Sequence, residues 1–300
     1  MGTTSTTVEQ LYADIVADLV PYYMDAVLLP NPQLIVNQMN VAGQSGDQVR
    51  FPLTNTYSDA VTVAEGASII GTASSQSNLS PTAANISFVK KGIATDVTAE
   101  SLEDGGFDVV RNAVLTRLSG GLAGATDTSI LAVAKAGFTT HTDTGEGGSN
   151  ADFTTNLIMS PEALAYASKR APSVASWYNP NKDSTEMRGT LRDGSAVLRG
   201  GFGQIITAHT TIGTATANIE AIAKGVANLR SSNAPTGIDG AYAGIIDPAF
   251  EFSINKTLAG VGGSTIGSLS DVGNNALRNA LVDLVSGVRL FRSNNLPDAA

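Results

Sequence analysis

Residues 97 to 137, VTAESLEDGGFDVVRNAVLTRLSGGLAGATDTSILAVAKAG, decide how this chain is read. Phe107, Val110, Val114, Leu118, Leu122 and Ala125 recur every three or four residues, and Ile130 and Val133 carry the stripe on to Gly137. Apolar residues at that period line one face of an α-helix, so the stretch reads as one long helix opening near Thr98. Gly120, Gly121 and Gly124 lie inside it. Each costs about 1 kcal/mol of helix propensity relative to alanine, which implies that another element packs close against that turn.

Upstream the period is two. Gln48 to Thr54 alternates, with Val49, Phe51 and Leu53 on one side, and Ala84 to Val97 repeats the habit through Ile86 and Phe88. The two runs read as strands of one long hairpin. Between them residues 57 to 82, YSDAVTVAEGASIIGTASSQSNLSPT, are too long for a turn within a compact domain and carry Val61, Val63, Ile69 and Ile70. They read as a projecting flap that needs a partner surface. Nearer the start, Val8, Leu11, Ile15, Leu19 and Tyr22 mark an amphipathic helix, with Thr6 and Glu9, or Thr7 and Gln10, at capping-box spacing. Pro21 is expected to kink or end it, and Pro30 and Pro32 leave residues 30 to 46 as an arm.

Downstream, Thr139 to Asn150 reads as a flexible boundary before a mixed α/β region. There an apolar strand at Leu157 to Ser160 meets Pro161 and is followed by an expected helix, Glu162 to Arg170. A second helix presents Ile219, Ile222, Val226 and Leu229, with Glu220 four residues before Lys224, and precedes a strand at Tyr242 to Ile246. A helix capped by Asp271 and a last strand, Gly287 to Arg292, complete the reading.

Composition narrows the function. Only 15% of residues are charged, against about 25% in ordinary soluble domains, and mean hydropathy is +0.07. So little charge implies that part of the surface is covered by other subunits. A net charge of -9, with no run of Lys or Arg longer than two, argues against a dedicated nucleic-acid binder. Cysteine is absent, no apolar run approaches the roughly 20 residues of a membrane span, and the first basic residue is Arg50, so no secretory leader is expected.

Catalytic candidates do not converge. His141 lies in the Gly/Thr run and His209 follows the expected strand Gln204 to Ala208. Gly201-Phe202-Gly203 and Gly260-Val261-Gly262 lack the third glycine of a dinucleotide fingerprint. Glu103 and Asp104 sit near a helix start, where acids favour the macrodipole. No catalytic residue, metal ligand or cofactor is assigned, and the chain is not expected to be an enzyme.

The order of helix, arm, hairpin flap, long helix and mixed domain resembles the major capsid proteins of tailed bacteriophages with the Hong Kong 97-type fold, especially their N4-like branch. Its residues are VTAESLED at 97 to 104 with Asp127, Ile130 and Leu131, then Ile222 to Pro235 leading to YAGIIDP at 242 to 248, and VSGVRLFRSNNLP at 285 to 297. The resemblance implies an α+β fold in which 1–46 is the N-arm, 47–97 the extended E-loop and 98–137 the peripheral domain with its spine helix. Residues 138–285 would form the axial domain, with 138–215 as an insertion, and 286–300 a return strand to the peripheral domain and the C-terminus.

It further implies that the E-loop contacts neighbouring copies through Val61, Val63, Glu65, Ile69 and Ile70, and that the spine carries Phe107, Val110, Val114, Leu118 and Leu122. The implied partners are other copies, in hexamers and pentamers of a closed icosahedral shell, with scaffolding, portal and decoration proteins. The shell would enclose double-stranded DNA without binding it specifically, belong to the virion, assemble in the bacterial host cytoplasm and involve no membrane. Some relatives link an E-loop lysine covalently to a neighbour, but residues 57 to 82 contain none. An encapsulin-like protein nanocompartment, which shares the fold and differs in cargo, is the alternative.

Overall fold

The computed structural model describes residues 4–26, 34–53, 64–65, 82–142, 153–209, 215–237, 239–248, 250–252, 254, 284–293 and 296. The expected helix from Asp271 and the flap, except Ala64, Glu65 and Thr82, lie outside them.

Helix α1, Thr4–Ala26, begins ahead of both expected caps and runs through Pro21. Its buried ridge is Leu11, Ile15, Leu19 and Tyr23, while Tyr22 is exposed. The four-residue spacing continues past the proline, so Tyr23 rather than Tyr22 faces inward. The arm that follows is anchored: Leu34 and Ile35 are fully buried and strand β1, Asn37–Asn40, pairs with a later strand.

Strand β2, Gln48–Leu53, pairs antiparallel with β3, Thr82–Ser87. The single strand expected over 84 to 97 is two strands in two sheets. Phe88 donates its N–H to the Asp47 carbonyl at 3.1 Å, closing the hairpin, and β4, Val89–Thr98, departs to pair elsewhere. The long helix is also divided. A short α2, Ala99–Gly105, is capped by Thr98, whose side chain accepts from the Ser101 N–H at 3.2 Å. Gly106 has φ 75, a left-handed conformation that glycine adopts without a Cβ penalty, and α3 then runs Phe107–Gly137.

Two sheets follow. The first has the order β1-β7-β8-β4, with β7 at Leu164–Asn179 and β8 at Ser184–Val197. The helix expected over Glu162 to Arg170 is therefore largely strand. Leu164 to Ala167 are buried and Ala165 to Ala167 pair with β1 and β8 together, and this ladder overrides the weak helical preference of Leu, Ala, Lys and Arg.

The second sheet has the order β11-β12-β10-β6-β9-β5. Its strands are β5 Thr139–Thr142, β6 Phe153–Met159, β9 Gly203–His209, β10 Tyr242–Ile246, β11 Leu284–Val285 and β12 Val288–Arg292. The run read as a flexible boundary thus begins with a strand. Residues 138–215, read as an insertion, supply β5, β6 and β9 here and the whole β7–β8 hairpin. The two proline-terminated strands, β6 and β10, are antiparallel neighbours, and the last strand, β12, lies parallel to β10 in this sheet rather than beside β4.

Helix α4, Ala215–Ser231, covers one face of the six-stranded sheet through Ile222, Val226 and Leu229 against Ile158, Ile206 and Ile246. The other face packs Leu157, Met159 and Ile205 on Ile130, Leu131 and Ala134 of α3.

Candidate assembly surfaces

The four-stranded sheet has two unlike faces, fixed by strand alternation. Ile93 and Val97 of β4 and Met187 and Leu191 of β8 turn toward α3, where they pack on Val114, Leu115, Leu118 and Leu122 and on the α1 ridge. A β-carbon on Gly121 would lie 2.5 Å from Ile93 Cδ1, so that glycine admits the close approach of β4; Gly120 and Gly124 meet nothing within 4 Å. The close packing expected at this turn is met at Gly121 alone of the three glycines.

Into this apolar layer the chain builds a polar knot. Lys91 Nζ lies 2.7 Å from Asp193 Oδ1 and donates to Ser129 Oγ at 2.6 Å. Asp193 Oδ2 accepts from Thr126 Oγ1 at 3.0 Å and from Tyr166 OH at 3.4 Å, and Tyr23 OH donates to Thr126 at 3.2 Å. Asp193 is 1% exposed. A buried carboxylate is tolerated only when paired and hydrogen-bonded, and here its partners come from α3, β4 and β7, with Tyr23 of α1 joining through Thr126. Burial also pushes the Tyr23 and Tyr166 hydroxyls above their ordinary pKa.

The opposite face is bare over most of its length. Along β4, Lys90, Gly92, Ala94 and Asp96 are exposed, and along β7 so are Ser173, Ala175 and Trp177. Near one end the β2–β3 hairpin crosses β8 at Gly194, where any β-carbon would strike the Ser87 carbonyl oxygen. Arg192 pairs with Asp47 beside it at 2.8 Å. Toward the other end Arg188 stacks on Trp177 at 5.3 Å, and Lys182 bridges Asp96 at 3.2 Å and Glu186 at 3.8 Å. The Asp96 carboxylate holds the Lys182 ammonium above its ordinary pKa.

The residues expected to carry function fall into two groups. Val114, Leu118 and Leu122 are core of the subunit, with Phe107 and Val110 half-buried beside them. Glu65 is exposed in a turn, while Val61, Val63, Ile69 and Ile70 lie outside the described residues. His141 falls on β5 and His209 at the end of β9, in register with Ile206 and Phe153. Among the described residues no cluster of His, Asp and Glu could hold a metal ion, and no helix is long and apolar enough to cross a membrane. Two features were missed. Lys91 could have been placed inward by strand alternation from Ile93, and the exposed pair Trp177 and Tyr178 was hidden by the helical reading just before it.

No protein-family model and no curated protein matches this sequence. Solved structures do match. The capsid protein of bacteriophage JBD30 aligns over 90% of this chain and 92% of its own, with TM-score 0.56 and 11% identity. The procapsid form of the same phage aligns over 96% and 99%, with TM-score 0.51 and 11% identity. A virus-like particle from Pyrococcus furiosus aligns over 65% of this chain and 98% of its own, with TM-score 0.42 and 11% identity. The chain is an α+β protein with the fold of bacteriophage capsid subunits.

Proposed function

We propose that this chain is a major capsid protein, the repeating subunit of a bacteriophage head shell. The observation that carries the reading is the alignment of nearly all of this chain with nearly all of the JBD30 capsid subunit. The low charge and the uncovered sheet face support it, since surface short of charge is stabilised by contact with other copies. In this reading α1 and β1 belong to the N-arm, the β2–β3 hairpin is the base of the E-loop, and α3 is the spine. The four-stranded sheet with α3 forms the peripheral unit and the six-stranded sheet with α4 the axial unit. Residues 54–81 would reach a neighbour, with Val61, Val63, Ile69 and Ile70 covering its surface, and heterologous contacts would close rings of six and five.

Negative-stain microscopy of the expressed protein tests the proposal. Closed shells of uniform diameter are expected, and a protein that remains monomeric through size-exclusion chromatography in cell lysates and phage particles alike contradicts it. DNA inside particles purified from infected cells supports a phage head, whereas a packaged protein cargo would make the chain an encapsulin-like compartment.

A further inference from the structure

The four-stranded sheet and the helix that continues β4 are electrically polarised from one end to the other. At the end where β4 starts, the strand register sets Lys90 opposite Arg192 and Arg192 opposite Arg170, three cations in one cross-strand row. Lys169, next to Arg170 in the chain, lies with its ammonium 5.4 Å from the Phe88 ring centroid. Among the described residues one carboxylate, Asp47 on Arg192, answers this group. Lys90 and Arg170 are exposed and have no ionic partner among the described residues.

At the other end β4 runs directly into α2, where Glu100, Glu103 and Asp104, followed by Asp108 on α3, are all exposed and none has a basic partner among the described residues. Of the cations near this end, Lys182 is engaged by Asp96 and Glu186, and Arg111, three residues past Asp108, by Asp14 and Asp18. Thr98 lies eight residues along the strand from Lys90, about 27 Å at the strand rise. Too far apart to neutralise each other within one subunit, the two clusters stand on a chain in which charge is otherwise scarce.

We propose that the cationic row Lys90–Arg192–Arg170 docks the acidic α2 segment of a second copy of this chain, head to tail. The inference rests on the shell-subunit reading and names one of its contacts. Between the two clusters Gly92, Ala94, Ser173 and Ala175 are small enough to let a neighbouring backbone lie close, while Arg188, between Ala94 and Ala175, stacks on Trp177 toward the α2 end. Charge placed this way fixes which end of one copy meets which end of the next, and like-charge juxtaposition disfavours the reversed arrangement. A head-to-tail contact is heterologous, the kind that closes into rings.

Charge-swap variants test it. Lys90→Glu with Arg170→Glu, and separately Glu103→Lys with Asp104→Lys, should each lower particle yield at physiological salt by about ten-fold or more. Combining all four substitutions in one chain should restore yield to within about two- to three-fold of wild type, because both partners are then reversed. Circular dichroism separates assembly from folding; the lysines in the last turn of α2 suit its macrodipole, so that variant should keep the wild-type melt. Should the wild type form no particles, the shell reading itself fails. Should the wild type form particles and both reversed variants assemble like it, or should the four-fold variant assemble no better than either half, the docking proposal is overturned and the shell reading stands.

Discussion

The six-stranded sheet is covered on both faces at its β10 strand, and the four-stranded sheet is covered on one face only. Every residue of β10 is buried, Tyr242 and Ile246 against the α4 side and Ala243 and Ile245 against α3, so both faces of the sheet have their cover at this strand. In the four-stranded sheet α1 and α3 cover one side, around a buried ion pair, and the other side exposes glycine, alanine, serine and the chain's single tryptophan. A sheet with one apolar face and one wet face is ordinary, but the wet face is usually charged or polar throughout. Here small residues occupy its middle and charge collects at its ends. Under the proposed function, the bare face of the four-stranded sheet is where copies would meet, while its covered face and the six-stranded sheet belong to the subunit's own core.

Substitutions on the two faces should separate these roles. The largest effect belongs to the covered side: Asp193→Ala removes one partner of a buried pair and strands Lys91, at a cost of about 3 to 5 kcal/mol, seen as a lower urea midpoint. A loss below about 1 kcal/mol would mean that the knot is solvated rather than buried. Gly194→Ala should cost about 1 to 3 kcal/mol, because its β-carbon collides with the Ser87 backbone and the hairpin must lift from β8. Proteolysis within residues 54 to 81 should quicken at the same time.

A smaller effect follows from the raised Tyr23 and Tyr166 pKa values. Folded protein keeps these protons where the unfolded chain releases them near pH 10, so the stabilisation is complete below that pH and is lost as pH rises above it. Urea midpoints should therefore fall between about pH 9 and pH 11, and Tyr166→Phe should flatten that fall. An unchanged slope in the variant would remove Tyr166 from the explanation. Trp177→Ala, on the bare face, should change subunit stability by less than about 0.5 kcal/mol while reducing particle yield.

Much of this division was readable in the sequence, because periodicity reports burial by neighbours close at hand. The α3 stripe, the α4 face and the β10 strand all emerged from spacing, and α3 ends at Gly137 as expected. What failed depended on partners far along the chain. Leu164 to Arg170 is helical by local preference and extended because β8 and, in part, β1 lie on either side of it. Ala84 to Val97 alternates without interruption, yet its two halves belong to different sheets because the hairpin closes at Asp47 and Phe88. Asp193 gave no signal, since its partners Lys91, Thr126 and Tyr166 are scattered over a hundred residues.

Because the chain has one tryptophan, at 41% exposure on the bare face, acrylamide quenching of its fluorescence reports directly whether neighbours cover that face. Dissociated subunits should be quenched readily, and assembled particles should show a quenching constant about three-fold smaller or less, as expected for a side chain withdrawn from solvent at an interface core. Equal quenching in subunits and particles would contradict the claim that assembly completes the four-stranded sheet.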